Sequence, residues 1–131
     1  MDLIADTSLL VGLWRKQAWA VDFARANSGR VLGLPWIVLG EFWHGAQWAG
    51  HDPQRVEAFL RLGLPVCDAE PVIPHYARLC AQAQKDGFYE QIGQNDLWIA
   101  AVSICQRLPL VSRNRRHFSK MGNLRLQSLT D

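Results

Sequence analysis

Leu3-Ile4-Ala5-Asp6-Thr7-Ser8-Leu9-Leu10 sets the pattern for the whole chain: a short apolar strand, an acid, then a helix. Leu3-Ile4-Ala5 reads as a strand, and a helical stretch runs from Thr7 to about Asn27, with a break near Gln17. The same alternation continues outward. Val31 to Leu34 reads as a second strand, closed by Pro35, and Trp36 to Trp48 as a helix. Asp52-Pro53 fits an N-cap followed by Pro at the first helical position, opening a helix to about Leu62. Pro65-Val66-Cys67 is a third strand, and Pro71 to Asp86 a helix that Gly87 ends. Asn95 reads as the N-cap of a helix to about Arg107, followed by strands at Leu108 to Val111 and Leu124 to Gln127. Strands alternating with helices predict an α/β fold, a mostly parallel five-stranded sheet flanked by helices on both faces, with 1–131 as one domain. Sites in such sheets form at the carboxyl ends of the strands, which is where Asp6 falls.

Composition fits this picture. Hydrophobic residues make up 49% and charged residues 20%, the balance of a soluble globular domain large enough to build its own core. No apolar run approaches the ~20 residues that span a bilayer, and Asp2 directly after Met1 leaves no basic leader, so the expectation is a cytoplasmic protein with no membrane contact. Cys67, Cys80 and Cys105 are odd in number and far apart, which argues for buried reduced thiols rather than a zinc site or disulfides. Charge is uneven: residues 1–96 hold 8 Lys/Arg against 11 Asp/Glu, while 97–131 hold 6 Lys/Arg and only Asp131. A basic final third beside an acidic remainder points to a polyanion partner as readily as to a solvated basic face.

Three acids stand at places where the topology brings elements together. Asp6 follows the first strand, where an Asp is equally an ordinary helix N-cap. Glu41 is the only charged residue in the apolar helix Trp36 to Trp48, with His44 as a candidate hydrogen-bond partner. Asp96 lies in the first turn of its helix, where the dipole favours an acid; with Asn95 as the cap, Asp96 is available for another role. Three carboxylates at one sheet edge repel each other unless a cation intervenes, and an open oxygen-only cluster suits Mg²⁺ or Mn²⁺ rather than zinc. Six tryptophans (Trp14, Trp19, Trp36, Trp43, Trp48 and Trp98) are many for this length. Core packing accounts for most of them, Trp43 and Trp98 first, while Trp14, Trp19 and Trp48 are candidates for a partner-binding patch.

In order and spacing these segments resemble the PIN domain and, within it, the VapC-like toxins. Asp6-Thr7-Ser8-Leu9-Leu10 is similar to the family's opening acid motif, Gly40-Glu41-Phe42-Trp43-His44-Gly45-Ala46 to its second, and Asn95-Asp96-Leu97-Trp98-Ile99-Ala100-Ala101 to its third. Leu110-Val111-Ser112-Arg113-Asn114-Arg115-Arg116-His117-Phe118 resembles the fourth, with Asn114 where the family has its last acid. The resemblance runs from Leu3 to about Gln127. It implies a three-layer PIN-like fold, and Asp6, Glu41 and Asp96 as catalytic residues that ligate Mg²⁺ or Mn²⁺. Ser8, Ser112 and Asn114 then act in support, the missing fourth charge weakening any second metal site. It also implies RNA hydrolysis, an antitoxin partner that inserts a segment near the pocket, and a homodimer. Arg113, Arg115, Arg116 and Lys120, with His117 among them, become the rim that grips the RNA backbone, since a guanidinium donates two parallel hydrogen bonds to phosphate.

Two other classes stay open on sequence. A PIN-like protein that lost activity with its fourth acid would only bind a partner. Phosphatase or receiver domains share the sheet type but need a second acid near Asp6, and Ser8 stands there instead.

Overall fold

In the computed structural model, which describes residues 1–127 and 129, strands β1 (Leu3–Ala5), β2 (Leu32–Pro35), β3 (Gly63–Val66), β4 (Leu110–Val111) and β5 (Leu126–Gln127) form one sheet in the order β3-β2-β1-β4-β5. Every pairing is parallel, with Ile4 opposite Gly33 on one side and Leu110 on the other. Asp131, the one acid of the basic final third, lies outside the described residues.

Parallel neighbours need crossovers, and helices supply them: α1 (Thr7–Trp14), α2 (Ala18–Ala26), α3 (Trp36–Ala49), α4 (Pro53–Leu60), α5 (Ile73–Asp86), α6 (Gln94–Gln106) and the single turn α7 (Arg115–Phe118). The chain steps outward from β1 to β2 to β3 and then crosses back to β4 on the far side of β1. With right-handed crossovers, α1 to α4 cover one face and α5 and α6 the other. The packing agrees, since α1 lies on α2 and α3, and α5 lies along α6. The strand order therefore reverses between β1 and β4, and Asp6 and Ser112 are the residues that follow those two strands. Covered on both faces, the central strands are apolar throughout: Leu3, Ile4, Ala5, Leu110 and Val111 are fully buried, as are Leu9, Leu97 and Ile99 from the helices over them. Each buried Leu or Ile of this set stabilises the fold by about 1.5–3 kcal/mol.

The expected elements are present, with local corrections. The helix from Thr7 is two helices, interrupted at Lys16, whose φ of 55° no helix continues. β3 starts earlier than expected, at Gly63, and ends at Val66, with Pro65 inside it as expected, because an edge strand leaves one side of its backbone unpaired. Pro71 lies in a 3₁₀ turn, Glu70–Val72, that leads into α5. The cap of α6 is Gly93, not Asn95, which sits inside the first turn with Asp96. Asp52 and Gly87 act as expected, Asp52 accepting from Gln54 N at 3.1 Å and Gly87 closing α5 at φ 83°. The cysteines are free, but Cys67 is exposed and the other two half-buried, because Cys67 falls just past the edge strand instead of within it. Trp43 and Trp98 are half-buried against the core, and Trp14 packs edge-on to Phe42 and Phe59. Trp48 alone among the six tryptophans projects fully, at 89% exposed.

Gly12 marks where α1 and α2 touch: a Cβ there would lie 2.4 Å from Cζ2 of Trp19. Gly12→Ala is expected to force the indole aside and cost about 1–3 kcal/mol by overpacking. A denaturant midpoint equal to that of the parent would show that Trp19 moves freely.

Candidate active site

Asp6 is the N-cap of α1 and is only 5% exposed. Its Oδ1 accepts from Leu9 N at 3.1 Å and from Ser8 Oγ at 2.7 Å, and its Oδ2 accepts from the Ser112 hydroxyl. The two serines are themselves fixed from the β4 side. Arg113 N donates to Ser8 Oγ at 3.4 Å, and Asn114 N donates to Ser112 Oγ at 2.8 Å. A carboxylate has about four lone-pair positions, so three bonds leave one on Oδ2 for a further ligand. Burial pushes the Asp6 pKa up, the three hydrogen bonds oppose that, and the charge of Asp96 adds to the rise. Asp6 is thus held by three hydrogen bonds yet short of positive charge.

Asp96 reaches the same edge from the first turn of α6 and is half-buried. Its Oδ2 gathers two donors, Asn114 Nδ2 at 3.2 Å and His117 Nδ1 at 2.9 Å. The 3.0 Å between Asn114 Nδ2 and His117 Nδ1 follows from their convergence on one oxygen, with the imidazole proton on Nδ1. Asn114 also caps α7 through its Oδ1, which accepts from His117 N at 3.5 Å. Asn114 therefore works here as an amide that donates to a carboxylate, a task an acid in its place would not perform.

Glu41 is half-buried on α3 and accepts from Thr7 Oγ1 at 2.6 Å rather than from His44, which points to solvent. Thr7 follows Asp6, so this bond ties Glu41 to the same corner. Among the described residues, however, no three His, Cys, Asp or Glu side chains converge tightly enough to form a ready-made metal cage. Asp6 senses the charge of Asp96, and Glu41 on α3 meets the corner through Thr7, the residue after Asp6.

On the rim, Arg115 and Arg116 are exposed on α7. The Arg113 guanidinium lies 4.5 Å from the centroid of the Trp19 ring, and Lys120 Nζ donates to Gln91 Oε1 at 3.0 Å. Two contributors escaped the sequence reading. Thr7 was hidden as a routine first-turn residue. His117 was counted as rim charge, although its place three residues after Asn114, one helical turn on, is the signal that it shares a partner with it.

A buried acid after β1 bonded to a hydroxyl after β4, and a second acid at the start of the helix preceding β4, stand together at the switch point of a parallel sheet. The chain belongs to the PIN domain family, whose model matches residues 3–124. It is 33% identical to Ribonuclease VapC2 of Haemophilus influenzae, over 78% of this chain and 77% of that one. Its fold is that of solved toxin–antitoxin complexes. VapBC2 from Rickettsia felis, bound to a promoter DNA fragment, superposes with a TM-score of 0.86 at 21% identity, over 99% of this chain and 100% of the other. DNA-bound VapBC from Salmonella typhimurium gives 0.83 at 21%, over 97% of each.

Proposed function

We propose that the protein is a divalent-metal-dependent endoribonuclease and the toxin of a toxin–antitoxin pair, with Asp6, Glu41 and Asp96 as its catalytic carboxylates. The observation that carries the reading is the buried Asp6, set near Asp96 at the sheet's switch point with no basic side chain among the influences on its charge. Relatedness to proteins named Ribonuclease VapC supports the reaction class, and the fold shared with VapBC complexes supports an antitoxin as partner. Residues 1–131 form one PIN-like domain in this reading, cytoplasmic and paired with a second copy.

The donor set fits Mg²⁺ or Mn²⁺: hard oxygens only, one lone pair open on Asp6 Oδ2, and Asp96 Oδ1 without a hydrogen bond among the described residues. Mg²⁺ usually keeps several waters and needs only one or two protein carboxylates, so the lack of a three-ligand cage is no obstacle. Asp6 and Asp96 would hold the ion directly, and Glu41 through water. When bound, the ion lowers the pKa of a water and stabilises the leaving oxygen of the phosphodiester. The chain's own groups do the positioning. Ser8 and Ser112 fix Asp6, while Asn114 and His117 fix Asp96 by its Oδ2 and leave Oδ1 facing outward. Arg113, Arg115 and Arg116 draw the RNA backbone in, and Lys120 extends that rim toward the turn before α6.

Asn114 supplies the test. A metal titration of RNA cleavage for the parent, Asn114→Asp, Asn114→Ala and Asp6→Ala separates its roles. Asn114→Asp places a second carboxylate against Asp96, so it is expected to lower the metal concentration for half-maximal cleavage and to fold less stably without metal. Asn114→Ala removes neutral hydrogen bonds worth about 0.5–1.5 kcal/mol each and is expected to cost less activity than Asp6→Ala. If Asn114→Ala proves as inactive as Asp6→Ala, Asn114 is itself an essential ligand or substrate contact. If the parent is inert with every metal, the protein is a PIN-like binding protein instead.

A further inference from the structure

A cleft of about 800 Å³ lies between α5 and the segment that follows α7. One stripe of α5 lines it with His75, Arg78 and Lys85, and Lys120 lines the opposite wall. Arg78 and Lys85 are seven residues apart, about 10 Å along the helix axis, so they would meet separate phosphates. Both are exposed, and neither has an ion-pair partner among the described residues. Asp86 is the only acid on the lining, and Gln82 Nε2 already donates to it at 3.0 Å. A second cavity of about 300 Å³ shares Ile104 and Asn123 with the first and adds Arg107 and Arg125.

One wall of the cleft, at Lys120, comes from the segment that also carries His117. Lys120 bridges to Gln91, and its ammonium lies 5.6 Å from the centroid of the Phe88 ring. Gln91 precedes Asp96 by five residues, and Lys120 follows His117, the Asp96 partner, by three. Lys120 N also donates to His117 O at 3.4 Å, which ties the Lys120 wall of the cleft to the residue that bonds Asp96.

We propose that this cleft binds the sugar–phosphate backbone of single-stranded RNA beyond the bond that is cut, with Arg78, Lys85 and Lys120 on the phosphates. The inference rests on the ribonuclease reading. Cations spaced along a groove with an aromatic ring beside them suit a polynucleotide, whose phosphates repeat and whose bases stack. The tie from Lys120 through His117 to Asp96 favours RNA over an acidic protein segment, because a cut strand must continue on both sides of the site.

The experiment measures binding of a labelled single-stranded RNA of mixed sequence by fluorescence anisotropy, in EDTA, across a range of salt. Arg78→Gln/Lys85→Gln is expected to weaken binding more than about tenfold and to flatten the slope of log K against log salt by about 1.4, two single-strand phosphate contacts' worth. Arg25→Gln, on α2 in the other helical layer, is expected to change neither. Binding by the double variant equal to that of the parent, with an equal slope, overturns the proposal, as does a parent that does not bind RNA. So does a double variant that loses an acidic antitoxin peptide but keeps RNA. Adding Mn²⁺ to the same samples separates the two readings. RNA cut by the parent with the slope unmoved sinks the cleft alone, whereas RNA bound through the cleft but never cut sinks the ribonuclease alone.

Discussion

Asp6→Asn and Asp96→Asn are each expected to lower RNA cleavage at least about a hundredfold, the scale lost when a group acting directly on transition-state charge is removed. Asp6→Asn is expected to do so without loosening the fold. Asn caps a helix as well as Asp does, so the bond from Leu9 N survives. The new amide faces Ser112 Oγ, which accepts from Asn114 N and has a second lone pair to take it. A buried charge is also gone. In the metal-free parent, burial raises the Asp6 pKa, so the folded state holds its proton more tightly than the unfolded chain. Stability is then greatest below the ordinary carboxylate pKa and falls as pH rises from that value through the raised one. Asp6→Asn should lack this fall and melt at neutral pH no lower than the parent. Thermal melts across pH beside a cleavage assay check both halves. Full cleavage by either folded variant would remove that residue from the chemistry.

Millimolar Mn²⁺ is expected to raise the melting temperature by roughly 10 °C. A ligand at a hundred times its Kd adds about 2.7 kcal/mol to a native state that alone binds it. For a chain of this length that corresponds to a shift of about 8–14 °C. The gain should grow as pH rises, because a proton on Asp6 competes with the ion, and should shrink in Asp6→Asn. An unchanged midpoint in the parent would mean that Asp6 and Asp96 do not share an ion.

The sheet was legible because strands buried on both faces have no polar residue to hide, and Leu3-Ile4-Ala5 and Leu110-Val111 could be little else. Asp6 was legible for the same reason, as the first polar atom after a buried strand. Local boundaries were harder. Asn95 has the chemistry of a cap, yet Gly93 takes the place because the extended backbone needed there, φ −65° and ψ 148°, falls two residues earlier. α7 is a single turn, too short to show any period, and only the side chain of Asn114 marks its start. Side-chain pairings were beyond reach: Thr7 with Glu41 and Ser112 with Asp6 depend on how crossovers place residues that sequence keeps far apart.

The bond between Ser112 and Asp6 joins positions 106 residues apart. During synthesis at ~5–20 residues per second, β1 waits many seconds for β4. Until then β1 is an edge strand paired only with β2, and Asp6 lacks the serine, the Ser8–Arg113 tie and its acidic neighbour's partners at once. A nascent chain thus carries the first acid well before the site around it can assemble, since Ser112 and Asn114 emerge more than a hundred residues after it. On the ribonuclease reading, order of synthesis by itself would delay any cutting of RNA until β4 has emerged.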